Sequence, residues 1–219
     1  MIKSVSLYHP FHEAELQNIL SGKSQVEFGA TIQAAAHYLR KSKSASEMAQ
    51  GSIDFKKQEE GFLEQFANQH SLWYPQIDVK QFVSNGAEQL VYLKDNRKVL
   101  KLNDSIYYAS WEDYFNNLLL NNYFFPDTAY QLLGFYKTHT TFYSVVEQTF
   151  VLATEKTNLE HVKQFLEHAG FINKKNNDYY HPEWGIILED LHDENVLTQN
   201  GVLKFIDTVF YVTEQFYKS

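Results

Sequence analysis

Residues 185 to 208, GIILEDLHDENVLTQNGVLKFIDT, set Asp190, Asn195 and Asp207 around two short apolar runs and an Asn-Gly pair. If Asn200-Gly201 makes a two-residue hairpin turn, Asn195 falls opposite Ile206 and beside Asp207. Paired strands lie about 5 Å apart, so both side chains leave the open end of the hairpin together. Asp190 enters that end by the preceding loop, and one amide and two carboxylates then share a small volume. Hard oxygen donors in this arrangement suit Mg²⁺, which takes one or two carboxylates and completes its shell with phosphate and water. The remaining carboxylate is placed to orient or deprotonate a hydroxyl. Phosphoryl transfer asks for that combination, because its chemistry is mostly positioning and charge neutralisation. The same residues also read as turn formers, since Asp190, Asp193 and Asn195 can satisfy backbone groups between strands.

The elements around this stretch read as α+β with mainly antiparallel pairing. Leu16, Ile19 and Leu20 share one helical face, as do Ile32, Ala35, Ala36 and Leu39. The Ser/Lys-rich segment from Lys41 to Ser46 reads as a break, and RKSKS (40–44) as a solvated linker. Phe55, Glu59, Phe62, Leu63 and Phe66 make a further helical stripe that ends by Pro75, so residues 1–75 are expected to be a helical N-terminal extension. From Gln81 the texture changes to β-type runs at 81–83, 89–93 and 99–102, split by Asn85-Gly86 and by a polar turn. Trp111, Tyr114, Phe115, Leu118 and Leu119 then follow helical spacing behind Ser110 as N-cap. Two β-type runs (131–136 and 142–148), a helix (159–169) and the quoted hairpin complete the chain, with a boundary expected near residue 150 between segments 76–150 and 151–219.

Composition narrows the chemistry. With 219 residues, 44% of them hydrophobic and 16% aromatic, the chain can bury a real core. No run is long and apolar enough for a membrane helix, and MIKSVSLYHPFHEAEL does not read as a secretory signal. The absence of cysteine excludes disulfides and thiolate metal sites and makes a cytoplasmic location the expectation. A net charge of −8 argues against broad, salt-driven binding to nucleic acid. The histidines of HPFH (9–12) and HVKQFLEH (161–168) lack a third ligand at metalloprotease spacing, and no G-x-S-x-G nucleophile turn occurs. Trp73, Trp111 and Trp184 fit core packing better than base stacking.

DLHDEN (190–195) resembles the Asp-x-x-x-x-Asn of a kinase catalytic loop, and IDT (206–208) stands where protein kinases carry Asp-Phe-Gly. Together with VLKLND, SWEDYFNNLLLNN and FPDTAYQLLGF, the stretch ILEDLHDENVL…GVLKFIDT resembles the kinase-like domain of polyvalent proteins from bacterial mobile elements, over about residues 53 to 219.

The resemblance implies a minimal protein-kinase-like fold: an antiparallel N-lobe sheet with one helix, plus a truncated helical C-lobe carrying the catalytic hairpin. It implies that Asp190 receives the proton of a substrate hydroxyl and that Asn195 and Asp207 hold Mg²⁺. Lys101 matches the lysine that holds the phosphates of ATP, and SNGAEQ (84–89), with Gly86, takes the place of the phosphate-covering loop. Glu147, Gln148 and Thr149 stand at the adenine-binding hinge, and His192 lines the phosphate site or packs the loop. The lysine's acidic partner is expected on the following helix. Glu112 lies about a quarter-turn from the apolar stripe and Asp113 nearly opposite it, which favours Glu112. The chain departs from the kinase pattern in several places. Gly86 is the only glycine of the phosphate loop, Leu188 and Glu189 replace His-Arg, and Thr208-Val209 replaces Phe-Gly. Twelve residues follow Asp207, too few for an activation segment. Two expectations result: an ATP- and Mg²⁺-dependent phosphotransferase acting on a hydroxyl of a protein or small molecule, or an inactive kinase-like module that binds nucleotide or a partner.

Overall fold

The computed structural model describes residues 13–46, 55–86 and 89–218; the HPFH histidines and Ala87 and Glu88 of the phosphate-loop turn lie outside them. Three helices open the chain, α1 (Glu13–Ser21), α2 (Gly29–Ser46) and α3 (Phe55–His70). The expected break at Lys41 is instead the last part of α2. Its cations have partners: Arg40 pairs with Glu112 at 3.1 Å, and Lys43 with Glu59 at 2.6 Å and Glu112 at 2.9 Å. Those contacts hold the Ser/Lys stretch helical against its weak propensity.

Strands β1 (Phe82–Asn85), β2 (Gln89–Leu93), β3 (Lys98–Asn103), β4 (Gln131–Lys137) and β5 (Phe142–Thr149) form an antiparallel sheet in the order β1-β2-β3-β5-β4. Segment 72–74 seals the β4 edge: Tyr74 N donates to Phe135 O and Phe135 N to Leu72 O. Gly134 makes that approach possible, because at its φ of 148° a Cβ would lie 2.0 Å from Leu72 O. Between β3 and β4 runs α4 (Trp111–Phe124), capped as expected by Ser110, whose side chain accepts from Asp113 N. Eleven α4 residues are buried, from Trp111 to Phe124, so the helix is enclosed on nearly all sides. α1 and α2 cover one face of it, and Leu16, Ile19, Ile32 and Leu39 join Phe115, Leu119 and Phe135 in one apolar cluster.

After α5 (Leu159–His168) the described chain is strand-rich, where a helical C-terminal part was expected. It carries β6 (Ile172–Lys175), β7 (Asp178–His181), β8 (Ile186–Glu189), β9 (Val196–Gln199), β10 (Val202–Phe205) and β11 (Val209–Val212). β9 and β10 form a hairpin, and the other four make a sheet ordered β11-β8-β7-β6. The fold is α+β. No helix among the described residues is long and apolar enough to cross a membrane.

One buried histidine sets a pH dependence. His181 is 4% exposed. Its ring stacks on Trp184 at 3.6 Å between centroids and meets Phe171 edge-on. Burial pushes its pKa down from 6.5 to about 4. Above pH 6.5 both folded and unfolded chains hold it neutral; below that the unfolded chain takes up a proton that the folded one refuses. Stability should therefore decline from pH 6.5 to about 4, by about 3 kcal/mol in all from this group. Urea melts across that range test this: His181→Gln should remove that part of the decline, and an unchanged slope would refute it.

Candidate functional site

The register of the quoted hairpin is the one the Asn-Gly turn dictates. Val196 pairs with Phe205, Leu197 with Lys204, Thr198 with Leu203 and Gln199 with Val202. Asn200 and Gly201 have φ of 52° and 75°, the left-handed pair of a type I′ turn. Their amides are held from outside by Thr154 Oγ1 and Glu155 Oε1, at 2.7 and 2.9 Å. At the open end, Ile206 N (2.9 Å) and Asp207 N (3.3 Å) both donate to Asn195 O, which sets Asn195 and Asp207 side by side.

The loop into that end is a compact turn. Asp190 leaves β8 at φ 65°, a conformation Asp adopts more readily than most residues, and its N donates to Asp178 Oδ1. Asn195 Nδ2 donates to both Asp190 O (2.9 Å) and Asp190 Oδ2 (2.8 Å). His192 closes the group: Nδ1 accepts from Glu194 N, and Nε2 lies 3.2 Å from Asp190 Oδ1 and 3.1 Å from Asn195 Nδ2. Asp190 is thus held at both carboxylate oxygens while its side chain stays 55% exposed. Beside it, burial and the nearby charges of Asp178 and Asp190 push the Glu189 carboxyl up.

Lys101 reaches the same end from the middle of the five-stranded sheet. It is 5% exposed, and its Nζ donates to Ile206 O at 2.7 Å and lies 3.8 Å from Asp207 Oδ2. Tyr130 supports it, with its ring under Nζ and its hydroxyl donating to the same Ile206 O. Thr128 Oγ1 donates to Phe205 O, and Gln89 Nε2 to Asp207 Oδ2. From α4, Asn121 Oδ1 accepts from Thr208 Oγ1 and Asn117 Oδ1 from Phe210 N, each at 2.8 Å, so this helix grips the segment just after Asp207.

Lys101, Asp190, His192, Asn195 and Asp207 are therefore gathered at one end of the hairpin, but Glu112 is not the lysine's partner. Its carboxylate is shared between Arg40 and Lys43 of α2, because the first turn of α4 faces α2, whereas Asn117 and Asn121 face the site. Of the residues expected at the hinge, Glu147 sends its side chain to Lys94 and Lys98, while Gln148 is turned inward, donating to Thr128 O. Thr149 pairs with Lys98 at the end of β5, and Gly86 N donates to Gln89 O across the β1-β2 turn. Sequence reasoning missed Gln89, Thr128, Tyr130, Asn117 and Asn121. The last two carried a signal, as asparagines spaced four apart among the apolar positions of a helix mark backbone groups or hydroxyls that need partners.

The donor set fits a hard cation shared with phosphate. Asn195 Nδ2 is committed to Asp190, which leaves Oδ1 as that amide's open acceptor, and Asp207 offers the oxygen that Gln89 does not take. Among the described residues no group of three or more His, Cys, Asp or Glu side chains could hold a metal by itself.

Residues 56–214 match the family model described as serine/threonine/tyrosine kinase found in polyvalent proteins. No curated protein and no solved structure was found to match the chain.

Proposed function

The chain belongs to the kinase family found in polyvalent proteins, and from that premise we propose that it transfers the γ-phosphoryl group of ATP, with Mg²⁺, to a hydroxyl acceptor. The observation that carries this reading is the convergence of Lys101, Asp190, Asn195 and Asp207 at the open end of the β9-β10 hairpin. Asn195 and Asp207 would hold the cation, which when bound neutralises phosphate charge and fixes the direction of transfer. Lys101 is placed for the phosphates, since its Nζ stands at the carbonyl next to Asp207 and needs only a local shift to reach an anion. Asp190 orients the acceptor hydroxyl and takes its proton; its two neighbours, Asn195 and His192, keep the carboxylate aimed outward. Backbone groups of Glu147, Gln148 and Thr149 would meet the adenine.

Mg²⁺ with a non-hydrolysable ATP analogue should stabilise the protein by about 2.7 kcal/mol when free ligand is about a hundred times Kd. Lys101→Met should weaken that binding by at least about tenfold, the worth of one hydrogen bond to a charged group. Thermal melts with and without the analogue check both. No stabilisation at millimolar analogue would defeat nucleotide binding, and with it the proposal.

A second reading, a module that binds nucleotide without turning it over, has one observation in its favour. Glu112 is held by Arg40 and Lys43 and does not brace Lys101. Phosphoryl transfer by the intact protein separates the two.

A further inference from the structure

Lys101, Tyr130 and Thr128 hold the open end of the β9-β10 hairpin by its backbone: the first two donate to Ile206 O and the third to Phe205 O. Gln89, the partly buried first residue of β2, does something different. Its Nε2 donates to the Asp207 carboxylate at Oδ2, joining residues 118 positions apart in the chain. A carboxylate only accepts, so the amide edge turned to it is the N–H edge. The strand itself does not need this bond. Gln89 already pairs with Asn103 across β2 and β3, and its O accepts from Gly86 N. Lys101 is no substitute for it: Nζ stands 3.8 Å from the same Oδ2, an ion pair without a hydrogen bond, and it is the group that must turn to the phosphates when nucleotide binds.

We propose that Gln89 is a positioning residue that confines Asp207 to one oxygen for the cation and so makes the site prefer Mg²⁺ to Ca²⁺. This rests on the phosphotransferase reading and deepens it. With Oδ2 taken by the amide, Oδ1 is the oxygen left for a cation. Mg²⁺ is well served by that, because it demands a near-ideal octahedron and the two oxygens of one carboxylate lie too close together to fill two of its corners. Ca²⁺ takes about six to eight oxygens in a looser shell and readily uses both oxygens of a carboxylate. The amide also fixes the rotation of Asp207, and loss of such a support typically costs about 10–100-fold in metal affinity. A purely structural tie between sheet and hairpin is the alternative. The bonds to Ile206 O and Phe205 O already supply one, and it would not need to end on a carboxylate.

Thermal melts of the intact protein with a non-hydrolysable ATP analogue, titrated with magnesium or calcium chloride at constant ionic strength, test the proposal. Each titration gives the cation concentration for half-maximal stabilisation. The parent should need less Mg²⁺ than Ca²⁺. Gln89→Leu keeps the bulk of the side chain without its donor; it should raise the Mg²⁺ requirement about tenfold or more and the Ca²⁺ requirement by less, narrowing the preference. Gln89→Glu keeps the shape, donates nothing to Asp207 and adds oxygens for a larger shell, so it should move the preference furthest toward Ca²⁺. A tie with no bearing on the cation would shift the melting temperature and leave the Mg²⁺-to-Ca²⁺ ratio alone. An unchanged ratio in either variant, or a parent that prefers Ca²⁺, would overturn the role of Gln89 while nucleotide binding stands. A parent stabilised by the analogue with neither cation would remove the phosphotransferase reading and this role together.

Discussion

Asp190→Asn is expected to lower phosphoryl transfer by about a thousandfold, the middle of the range for loss of a positioned general base, while changing Mg²⁺-ATP affinity only a few-fold. The side chain is 55% exposed, and in the proposed reaction it serves the acceptor while the nucleotide keeps Lys101, Asn195 and Asp207. Asparagine is the informative substitution. Residue 190 sits at φ 65°, which asparagine tolerates and alanine resists by about 1 kcal/mol, so Asp190→Ala mixes backbone strain with lost chemistry. The amide oxygen of the introduced side chain can still accept from Asn195 Nδ2, which keeps one of the two contacts that hold residue 190. Thermal stability should then stay within about 0.5 kcal/mol of the parent, as for other exposed positions. Initial rates of transfer, measured beside analogue affinity, decide the matter. A variant retaining a third or more of the parent rate would remove Asp190 from the reaction.

Deleting residues 1–54 should abolish folding, even though the family match begins only at residue 56. Leu16, Ile19, Leu20, Ile32 and Leu39 are each 5% exposed or less, and each large aliphatic contributes about 1.5–3 kcal/mol on burial. Their joint loss, roughly 10 kcal/mol, matches the whole stability of an ordinary domain. Electrostatics adds to it. Glu59 is 1% exposed, and burial already pushes its carboxyl up against the pull of Lys43. Without α2 this acid keeps its backbone contact with Trp111 N but loses its countercharge, a loss of about 3 kcal/mol or more. Circular dichroism and NMR of residues 55–219 should show no cooperative melt and no dispersed spectrum. A fragment that melts cooperatively within a few degrees of the full chain would show that α1 and α2 are accessory. Lys43→Met provides the milder version, with a cooperative but destabilised melt.

Much of the site was legible because its geometry is local. An Asn-Gly pair fixes hairpin register, and register alone puts Asn195 beside Asp207 and delivers Asp190 by a short loop. Lys101 was harder, since its place depends on the order in which β3 and β5 join the sheet, and the kinase resemblance supplied what spacing could not. Glu112 shows the limit of helical phase. Phase tells which side of α4 an acid occupies, but not that Arg40 and Lys43, some seventy residues earlier, wait on that side. The same tertiary contacts turned RKSKS from an expected linker into the end of α2. Strands β6 and β7 escaped notice for a different reason: INKK and DYYH show no clean alternation, and backbone pairing with β8 makes them strands. β11 was hidden because VFYV is apolar throughout, which fits buried strand and helix equally.

The central claim is spatial, and a crystal structure with Mg²⁺ and a non-hydrolysable ATP analogue tests it most directly. The cation should bridge Asn195 Oδ1, an Asp207 carboxylate oxygen and the phosphates at about 2.1 Å. A phosphate oxygen should lie within hydrogen-bond distance of Lys101 Nζ, with Asp190 facing the terminal phosphate. A cation bound by neither Asn195 nor Asp207, or a nucleotide seated away from Lys101, would contradict the account.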